Sequence, residues 1–494
     1  MPFNACHRFS RARSLCLCVI LAIYLRATVN LFPYSGENTP PRFGDYEAHR
    51  YWSSVTLHVR PVSAWYEASK DHWVIDYPPL SAYLAFLVGT AAKHLGLGEA
   101  VSWPSYGYES EASRAFFRAT VLFIESLVFF PAAYVASEGD LFRFSFLTLL
   151  QPCWVLIDHG HFHYTCIQLG LLLWMIAFYR THKARALTFA ALYKQTSLYL
   201  MPIPAADVFW QLMHGERPLA DILWAMLLGV FVVYPFNIRT LLKRIFPFER
   251  GVFEDKVATF WCTISPALRR LGLLKSRLLP VACGVLTATA IFPFLVSGFP
   301  ANANHYDRQH LCIRLTGCAL SFFLFSYHVH EKHILLPLLP LSMCVREEPT
   351  VVLWTSATAV LSIFPLLLRE GSGLACAILV LWMCLAMSQR PALVWMIFAL
   401  PLVTLLAFNM NPLQGRYPDL LPYLTAVFCF LNFLALLVWC YIKNAEMARA
   451  PNSLDPLFKF FQFPPRLGRR SGRKPAGRSS LAQRRAKNAA LASN

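Results

Sequence analysis

Charge is what this 494-residue chain has little of: Asp, Glu, Lys and Arg make up 15 % of it, against 56 % hydrophobic residues and a mean hydropathy of +0.44. Soluble domains carry about 25 % charged residues, so a water-soluble globule is excluded and an integral membrane protein is indicated. Metal-binding cysteine spacing is missing as well. The fourteen cysteines contain no CxxC pair and no zinc pattern, and Cys16, Cys18, Cys283 and Cys440 sit in apolar runs where a thiol acts as a small hydrophobe. No metal and no cofactor is therefore expected. No small-residue cleavage site follows the first apolar run, and no pair of matching interrupted helices marks the two halves, which argues against an inverted-repeat transporter. Acids are absent after Asp455, where ten Lys and Arg residues from Lys459 to Lys487 stand in a Ser-, Gly- and Ala-rich tail. The formal net charge of +18 has one of its sources there. Without interleaved aromatics the tail fits a disordered, cytosolic, headgroup-facing segment better than an RNA-binding arm, so no nucleic-acid partner is expected.

What is present is a series of apolar runs near 20 residues long, enough to cross a hydrocarbon core of about 30 Å. The first, 15–31, follows His7, Arg8, Arg11 and Arg13 and reads as an uncleaved anchor with a cytosolic amino terminus. Further spans are predicted at 117–136, 143–157, 165–180, 185–199, 199–213, 219–236, 279–297, 311–327, 333–345, 350–367, 373–387, 391–408 and 420–442, about fourteen in all. The stretch 185–213 is the weak point, since Lys194 interrupts it and Pro202 and Pro204 follow. The run from Pro79 to Leu95 is short and interrupted by Ser81 and Gly89, so it is placed in the interface and not across the bilayer. The organisation expected is a cytosolic segment 1–14, a membrane domain 15–443 with a long non-cytosolic loop at 32–114, and a basic tail 444–494.

Under this topology the charged clusters share the non-cytosolic face. Asp45 follows Gly44 and opens an amphipathic run with Glu47 and Arg50 towards water; it is either a helix N-cap or a general base held rigidly at a helix start. Asp76 precedes Pro78 and Pro79 and either caps the next helix or touches substrate. Asp158, His159, His161 and His163 crowd a turn between two helices, where a neutral hydrogen-bonding wall is a better reading than a metal site. His328, His330, Glu331, Lys332 and His333 lack the HExxH spacing of zinc proteases, yet Lys332 and the imidazoles suit a phosphate. Arg250 and Lys256 offer the same service, or belong to a solvated mixed-charge loop.

Together the segments Asp45–Trp52, Trp73–Ala82, Ile157–Tyr164, Tyr193–Gln195, Phe246–Trp261 and Phe323–Lys332 resemble, in order, the dolichyl-phosphate-glucose-dependent glucosyltransferases of the endoplasmic reticulum that build the asparagine-linked glycan precursor. The resemblance covers about residues 30–440, and the Gly-Asp-Tyr-Glu-Ala and Arg-Gly-Val-Phe-Glu-Asp-Lys forms look like the enzyme that adds the first glucose. His328 and His163 stand where glutamine is expected, and Thr165 where asparagine is. The resemblance implies a C-type glycosyltransferase (GT-C) helical bundle, all-α and polytopic, with lumenal interfacial helices in a multi-pass membrane protein of the endoplasmic reticulum. It implies glucose transfer with inversion from dolichyl-phosphate-glucose to the nine-mannose oligosaccharide on dolichyl diphosphate. Asp45 is then the base, and Glu47, Arg50, Asp76, Asp158, His159, His161, Arg250, Lys256, His330, Glu331 and Lys332 are expected to bind donor or acceptor, with His330 on the phosphate side. The alternatives are the second glucosyltransferase of the same pathway and, in a different class, a proton-coupled transporter with Lys194 as its main intramembrane charge.

Overall fold

The computed structural model describes residues 2–41, 43–213, 219–246, 251–252, 255–275, 278–297, 307–387, 417 and 419–448. Regular structure is helical, with no extended strand among the described residues. That suits a chain in lipid, where a helix satisfies its own backbone N–H and C=O groups.

The chain opens with α1 (Pro2–Val29), α2 (Asp45–His58), α3 (Pro79–His94) and α4 (Glu111–Ala136). Next comes α5 (Leu141–Phe162), which widens into π-helical turns at Phe146–Leu150 and Leu156–Phe162. After α6 (Thr165–Ala177) and α7 (Tyr179–Tyr193), a 3-10 stretch at Gln195–Leu200 leads into α8 (Pro202–Met213). The remaining long elements are α9 (Leu219–Val233), α10 (Ile238–Ile245), α11 (Leu279–Val296) and α12 (Arg308–Phe325). They continue with α13 (Leu335–Ser342), α14 (Pro349–Arg369), α15 (Gly373–Met387) and α16 (Leu420–Ala448).

By length and composition, six of the helices among the described residues can cross a bilayer: α1, α4, α5, α11, α14 and α16. A seventh is reached if α9 and α10, bent by 99° to each other, form one broken span. Other expected crossings are helical but shorter. α6 and α15 have 13 and 15 residues, about 20 and 22 Å at 1.5 Å per residue, below the roughly 30 Å of a hydrocarbon core. The expected span at 391–408 lies outside the described residues. At the weak point, α7 ends at Tyr193 and Lys194 turns extended, with φ −145° and ψ 121°, before the 3-10 stretch. The segment from Asp158 to His163 is not a connecting turn. Most of it continues α5 as a buried π-helical turn.

In lipid, apolar surface alone gives helices little reason to associate, because the tails are as apolar as leucine; close packing and polar pairs do the work. α4 packs along α6 at Gly170, where a Cβ would come within 3.1 Å of the Phe129 backbone. Arg26 of α1 makes two 2.7 Å bonds to Glu125 of α4, and Glu125 also bonds His159 at 2.7 Å. Asp207 of α8 takes Arg314 at 2.7 Å and Tyr179 at 2.6 Å. These buried charges are paired, as low-dielectric surroundings require.

Outside this bundle core, α2 and α3 lie against each other over an aromatic cluster with Trp52, Trp65, Tyr66 and Phe236. They pass close together at Gly89, where a Cβ would lie 2.7 Å from the Ser53 carbonyl oxygen. At an open helical site Gly→Ala stabilises by about 1 kcal/mol. Gly89→Ala is expected to have the opposite sign and to destabilise by about 1–3 kcal/mol, because backbone cannot move aside like a side-chain end. Thermal unfolding of the detergent-solubilised protein checks this, with Gly98→Ala, whose Cβ meets nothing within 4 Å, as the control.

Candidate active site

Two glycines let the first connection fold back on itself. Gly36, at φ +77°, passes so close to Gly44 that a Cβ on it would lie 1.8 Å from the Gly44 nitrogen, and one on Gly44 would lie 2.5 Å from the Ser35 carbonyl. This contact aims the start of α2. The Asp45 amide donates to Ser35 Oγ at 3.2 Å, and the Ser35 amide donates to the His161 carbonyl at 2.8 Å. The N-cap of α2 is Gly44, with no side-chain cap bond. Asp45 is therefore the first helical residue and not the cap, which leaves its carboxylate available elsewhere.

That carboxylate meets residues from two distant segments. Asp45 Oδ2 accepts from Lys332 Nζ and lies 3.0 Å from His161 Nε2 and 3.9 Å from His163 Nε2. His161 Nδ1 faces Glu370, 2.8 Å from both carboxylate oxygens. Lys332 Nζ is also 3.2 Å from His161 Nε2. Burial raises the pKa of a carboxyl, but the Lys332 charge and the His161 bond outweigh it and hold Asp45 well below the ordinary carboxylate range. Burial likewise opposes the Lys332 ammonium, yet Asp45 and Glu331 raise its pKa. The Asp45 side chain remains 27 % exposed, and it opens on a cavity of about 660 Å³.

The cavity has two kinds of wall. Trp52, Trp73 and Tyr77 offer aromatic surface, whereas His163, Lys194, His330 and Lys332 offer donors and charge. Lys194 is buried and lies 4.7 Å from the centre of the Tyr77 ring, whose hydroxyl is 3.0 Å from His163 Nε2. Burial and the neighbouring Lys332 push His330 down to about 3, so it is a neutral hydrogen-bonding group at physiological pH. His49 is also held neutral, at about 3, chiefly by burial. Among the described residues no group of three or more His, Cys, Asp or Glu side chains has the arrangement of a metal site.

Of the residues singled out from sequence, Asp45, His161 and Lys332 converge, and Asp76 and His330 line the same cavity. Asp76 does not cap α3, whose N-cap is Pro78, with no side-chain cap bond. Others are placed differently. Glu47 and Arg50 are buried against each other through bonds of 2.6 and 2.7 Å, with Arg50 also bonded to the Ala100 and Ser105 carbonyls and Glu47 to the Gly107 amide. They clamp the first long connection and do not face the cavity. Asp158 accepts from the Thr165 and Cys166 amides at 2.9 and 2.6 Å, tying down the start of α6, and His159 belongs to the Arg26–Glu125 pair. Lys256 pairs with Asp419 at 3.1 Å, and Glu331 is a charged neighbour of Lys332 away from the cavity lining. Arg250 lies outside the described residues.

Sequence reasoning left Lys194, His163, His49 and Glu370 out of the site. A lone lysine in an apolar stretch was signal enough for the first. Glu370 had none, because it follows Arg369 at the end of a long apolar helix and meets His161 only through the fold.

Residues 16–440 match the model of the ALG6, ALG8 glycosyltransferase family. The chain is 33 % identical over 469 residues to a fission yeast (Schizosaccharomyces pombe) protein named "probable dolichyl pyrophosphate Man9GlcNAc2 alpha-1,3-glucosyltransferase", covering 85 % of this chain and 90 % of that one. It is 34 % identical over 380 residues to the Gallus gallus dolichyl pyrophosphate Man9GlcNAc2 alpha-1,3-glucosyltransferase, covering 72 % and 74 %. The Mus musculus protein of that name is 31 % identical over 484 residues, covering 85 % and 94 %.

The Glu47–Arg50 clamp carries its own test. Arg50→Ala leaves the buried Glu47 carboxylate with only the Gly107 amide and His72, 3.2 Å away, and is expected to destabilise by about 3–5 kcal/mol, the usual cost of breaking a buried pair from one side. Replacing both partners with apolar residues of similar size is expected to recover much of that loss. Thermal unfolding of the two variants in detergent distinguishes a clamp from a binding pair, which would leave stability near that of the parent.

Proposed function

The chain belongs to the ALG6, ALG8 glycosyltransferase family and is a multi-pass helical membrane enzyme, and from that premise we propose that it transfers glucose from dolichyl-phosphate-glucose to the nine-mannose oligosaccharide on dolichyl diphosphate. The acceptor follows the names of its relatives, each carrying Man9GlcNAc2. That naming favours the first glucosyl addition over the second. The observation that carries the chemistry is Asp45, a carboxylate on the cavity wall with Lys332 beside it.

The donor is β-linked and the product bond is α, so one in-line displacement inverts the anomeric carbon. The acceptor 3-hydroxyl oxygen bonds to C1 of glucose, its proton passes to Asp45, and the C1–O bond breaks with its electron pair staying on the phosphate. An inverting glycosidase needs a second carboxyl to protonate an alkoxide leaving group. A phosphate leaves as a stable anion, so one carboxylate suffices. Base assistance is worth about 10²- to 10⁴-fold. Lys332 answers the low basicity that its own charge imposes on Asp45: as negative charge builds on the departing phosphate, the ammonium is shared with it and its hold on the carboxylate weakens. His330, neutral, and Lys194 serve the same phosphate, while Trp52 and Trp73 offer apolar faces to sugar rings.

The finer architecture belongs to the same proposal: a GT-C bundle of about fourteen crossings, with the cavity facing the lumen of the endoplasmic reticulum, residues 15–443 in the membrane, and 1–14 and 444–494 in the cytosol. What supports the count is that most of the expected spans within the described residues carry helix; 185–199 is interrupted at Lys194, and α13 has 8 residues. What supports the sidedness is the ten-charge tail, which the positive-inside rule assigns to the cytosol.

Asp45→Asn is expected to lose at least about 10²-fold in turnover; because it also strips Lys332 of its carboxylate, thermal unfolding in detergent is followed alongside so that loss of the base is read on folded protein. The assay is glucose transfer from a dolichyl-phosphate-glucose analogue to a nine-mannose lipid acceptor by purified protein. Rates near the parent's would remove Asp45 from the role of base. For the topology, a glycosylation sequon engineered within 96–110 is expected to be modified in cells, and one placed after Arg485 is not. A modified tail would put the carboxyl terminus and the cavity on the same side of the membrane and undo the count.

A further inference from the structure

Asp45 and Lys332 are two members of a four-group chain. His161 stands between two carboxylates, with Nε2 3.0 Å from Asp45 Oδ2 and Nδ1 2.8 Å from both oxygens of Glu370. A ring nitrogen bonded to a carboxylate must carry the proton, since neither oxygen has one to give when ionised. Both nitrogens are so placed; Lys332 Nζ, 3.2 Å from Nε2, has Asp45 Oδ2 as its nearer acceptor, so the Nε2 proton goes to Asp45 and the ring is read as an imidazolium. The four groups then sum to zero, Asp45 and Glu370 against Lys332 and His161. The side chains of His161 and Glu370 are 3 % and 10 % exposed, so water does little to screen them. Glu370 directly follows α14, and Gly371 at φ +77° turns the chain beside Pro33, next to the connection that carries Ser35 and Asp45.

We infer that Glu370 is a positioning residue for the transfer reaction: it holds His161 doubly protonated, and the His161 Nε2–H pins Asp45 Oδ2 so that Oδ1 is left for the acceptor hydroxyl. This rests on the reading of Asp45 as the base. Among the described residues no hydrogen bond reaches Asp45 Oδ1, whereas Oδ2 takes both His161 and Lys332. The arrangement matters most when Lys332 turns towards the departing phosphate, because His161 is then the group that still fixes the carboxylate. With a single ring proton, the imidazole would give it to Glu370 and turn a lone pair on Asp45. The charged and titratable groups around His161 are Asp45 from α2, Lys332 and Glu331 from the 3-10 turn before α13, Glu370 after α14 and His163 on its own segment; His49 and Lys194 stand further off around Asp45.

The test is the pH profile of glucose transfer by the full-length purified enzyme with Glu370→Gln. The amide still fills the site and still bonds the ring, but it no longer compensates a second ring proton. That proton is therefore lost at lower pH, and the alkaline limb of the turnover profile is expected to move down by at least about one pH unit, the usual effect of one opposite charge at this range. Turnover at pH values above both limbs falls at least about tenfold, turnover near pH 6 is close to the parent's, and KM for the donor is unchanged. A merely structural role would lower turnover by the same factor at every pH. A profile superimposable on the parent's overturns the inference. If Glu370→Gln does not fold, Glu370→Asp keeps the charge and must leave the alkaline limb in place; a shifted limb in that variant overturns it too. Asp45→Asn in the same assay separates the two proposals. An active Asp45→Asn sinks the base assignment, whereas an inactive one beside an unshifted Glu370→Gln sinks only the role of Glu370.

Discussion

The ion pair between Asp45 and Lys332 sets the terms for the rest of the molecule. Its partners are 287 residues apart, and His161, which joins them, is 116 residues from Asp45. A carboxylate removed from bulk water is tolerated only with compensating charge and hydrogen bonds around it. The fold supplies them by bringing the start of α2, the end of α5 and the segment before α13 to one place. The glycine contact at 36 and 44 fixes where α2 begins, and the Ser35 amide on the His161 carbonyl ties that start to α5. Loss of any one of these would leave charge buried without an answer, so the cluster acts as a specification of the fold as well as a site.

Departures from regular helix gather around this point. α5 widens into a π-helical turn over Leu156–Phe162, and Phe162 has φ +80°. His328 has φ +60°, and Lys194 is extended between two helices. A regular α-helix through 156–162 would send successive side chains round the axis by about 100° and could not present His161 to Asp45 while burying Asp158 under α6. Non-helical backbone at membrane depth is admissible where it is buried in protein or lines a cavity. Here it does both. The regular helices, with their paired charges Arg26–Glu125 and Arg314–Asp207, form the frame against which the irregular segments are held.

How much of this could be read from the chain follows from how rare charge is in it. Asp45, His161, His330 and Lys332 stood out because ionisable groups at a membrane edge are costly and need a reason. The same rule overreached at Glu47 and Arg50, whose i,i+3 spacing also describes a self-contained buried pair. Asp158 and His159 were drawn into the site by adjacency in sequence, but the π-helical turn sends them to α6 and Glu125 while His161 goes to Asp45. Helix positions were legible from the apolar runs, whereas the wide turn and the break at Lys194 depend on what packs against them. Glu370 lies 209 residues from its partner His161; hydropathy carries no trace of such a contact, and only the fold makes it.

On the proposed reading, a lysine shared between base and leaving group answers a problem that one-carboxylate chemistry creates. A carboxylate strong enough to take a hydroxyl proton would, unpaired in a closed cavity, take one from solvent first, because burial favours the neutral acid. Pairing with Lys332 keeps Asp45 ionised while the site is empty, at the expense of basicity. In the proposed transfer, the departing phosphate would then become a second anion competing for the same ammonium, its charge growing as the C1–O bond stretches. Basicity at Asp45 therefore rises along the same coordinate that releases the phosphate, so that proton removal and bond breaking advance together. An enzyme that must protonate an alkoxide cannot use this device, since its leaving group carries no comparable charge until it has gone. With a phosphate-linked donor, as proposed, one carboxylate, one lysine and a pinned imidazole would do what otherwise takes two carboxyl groups held apart.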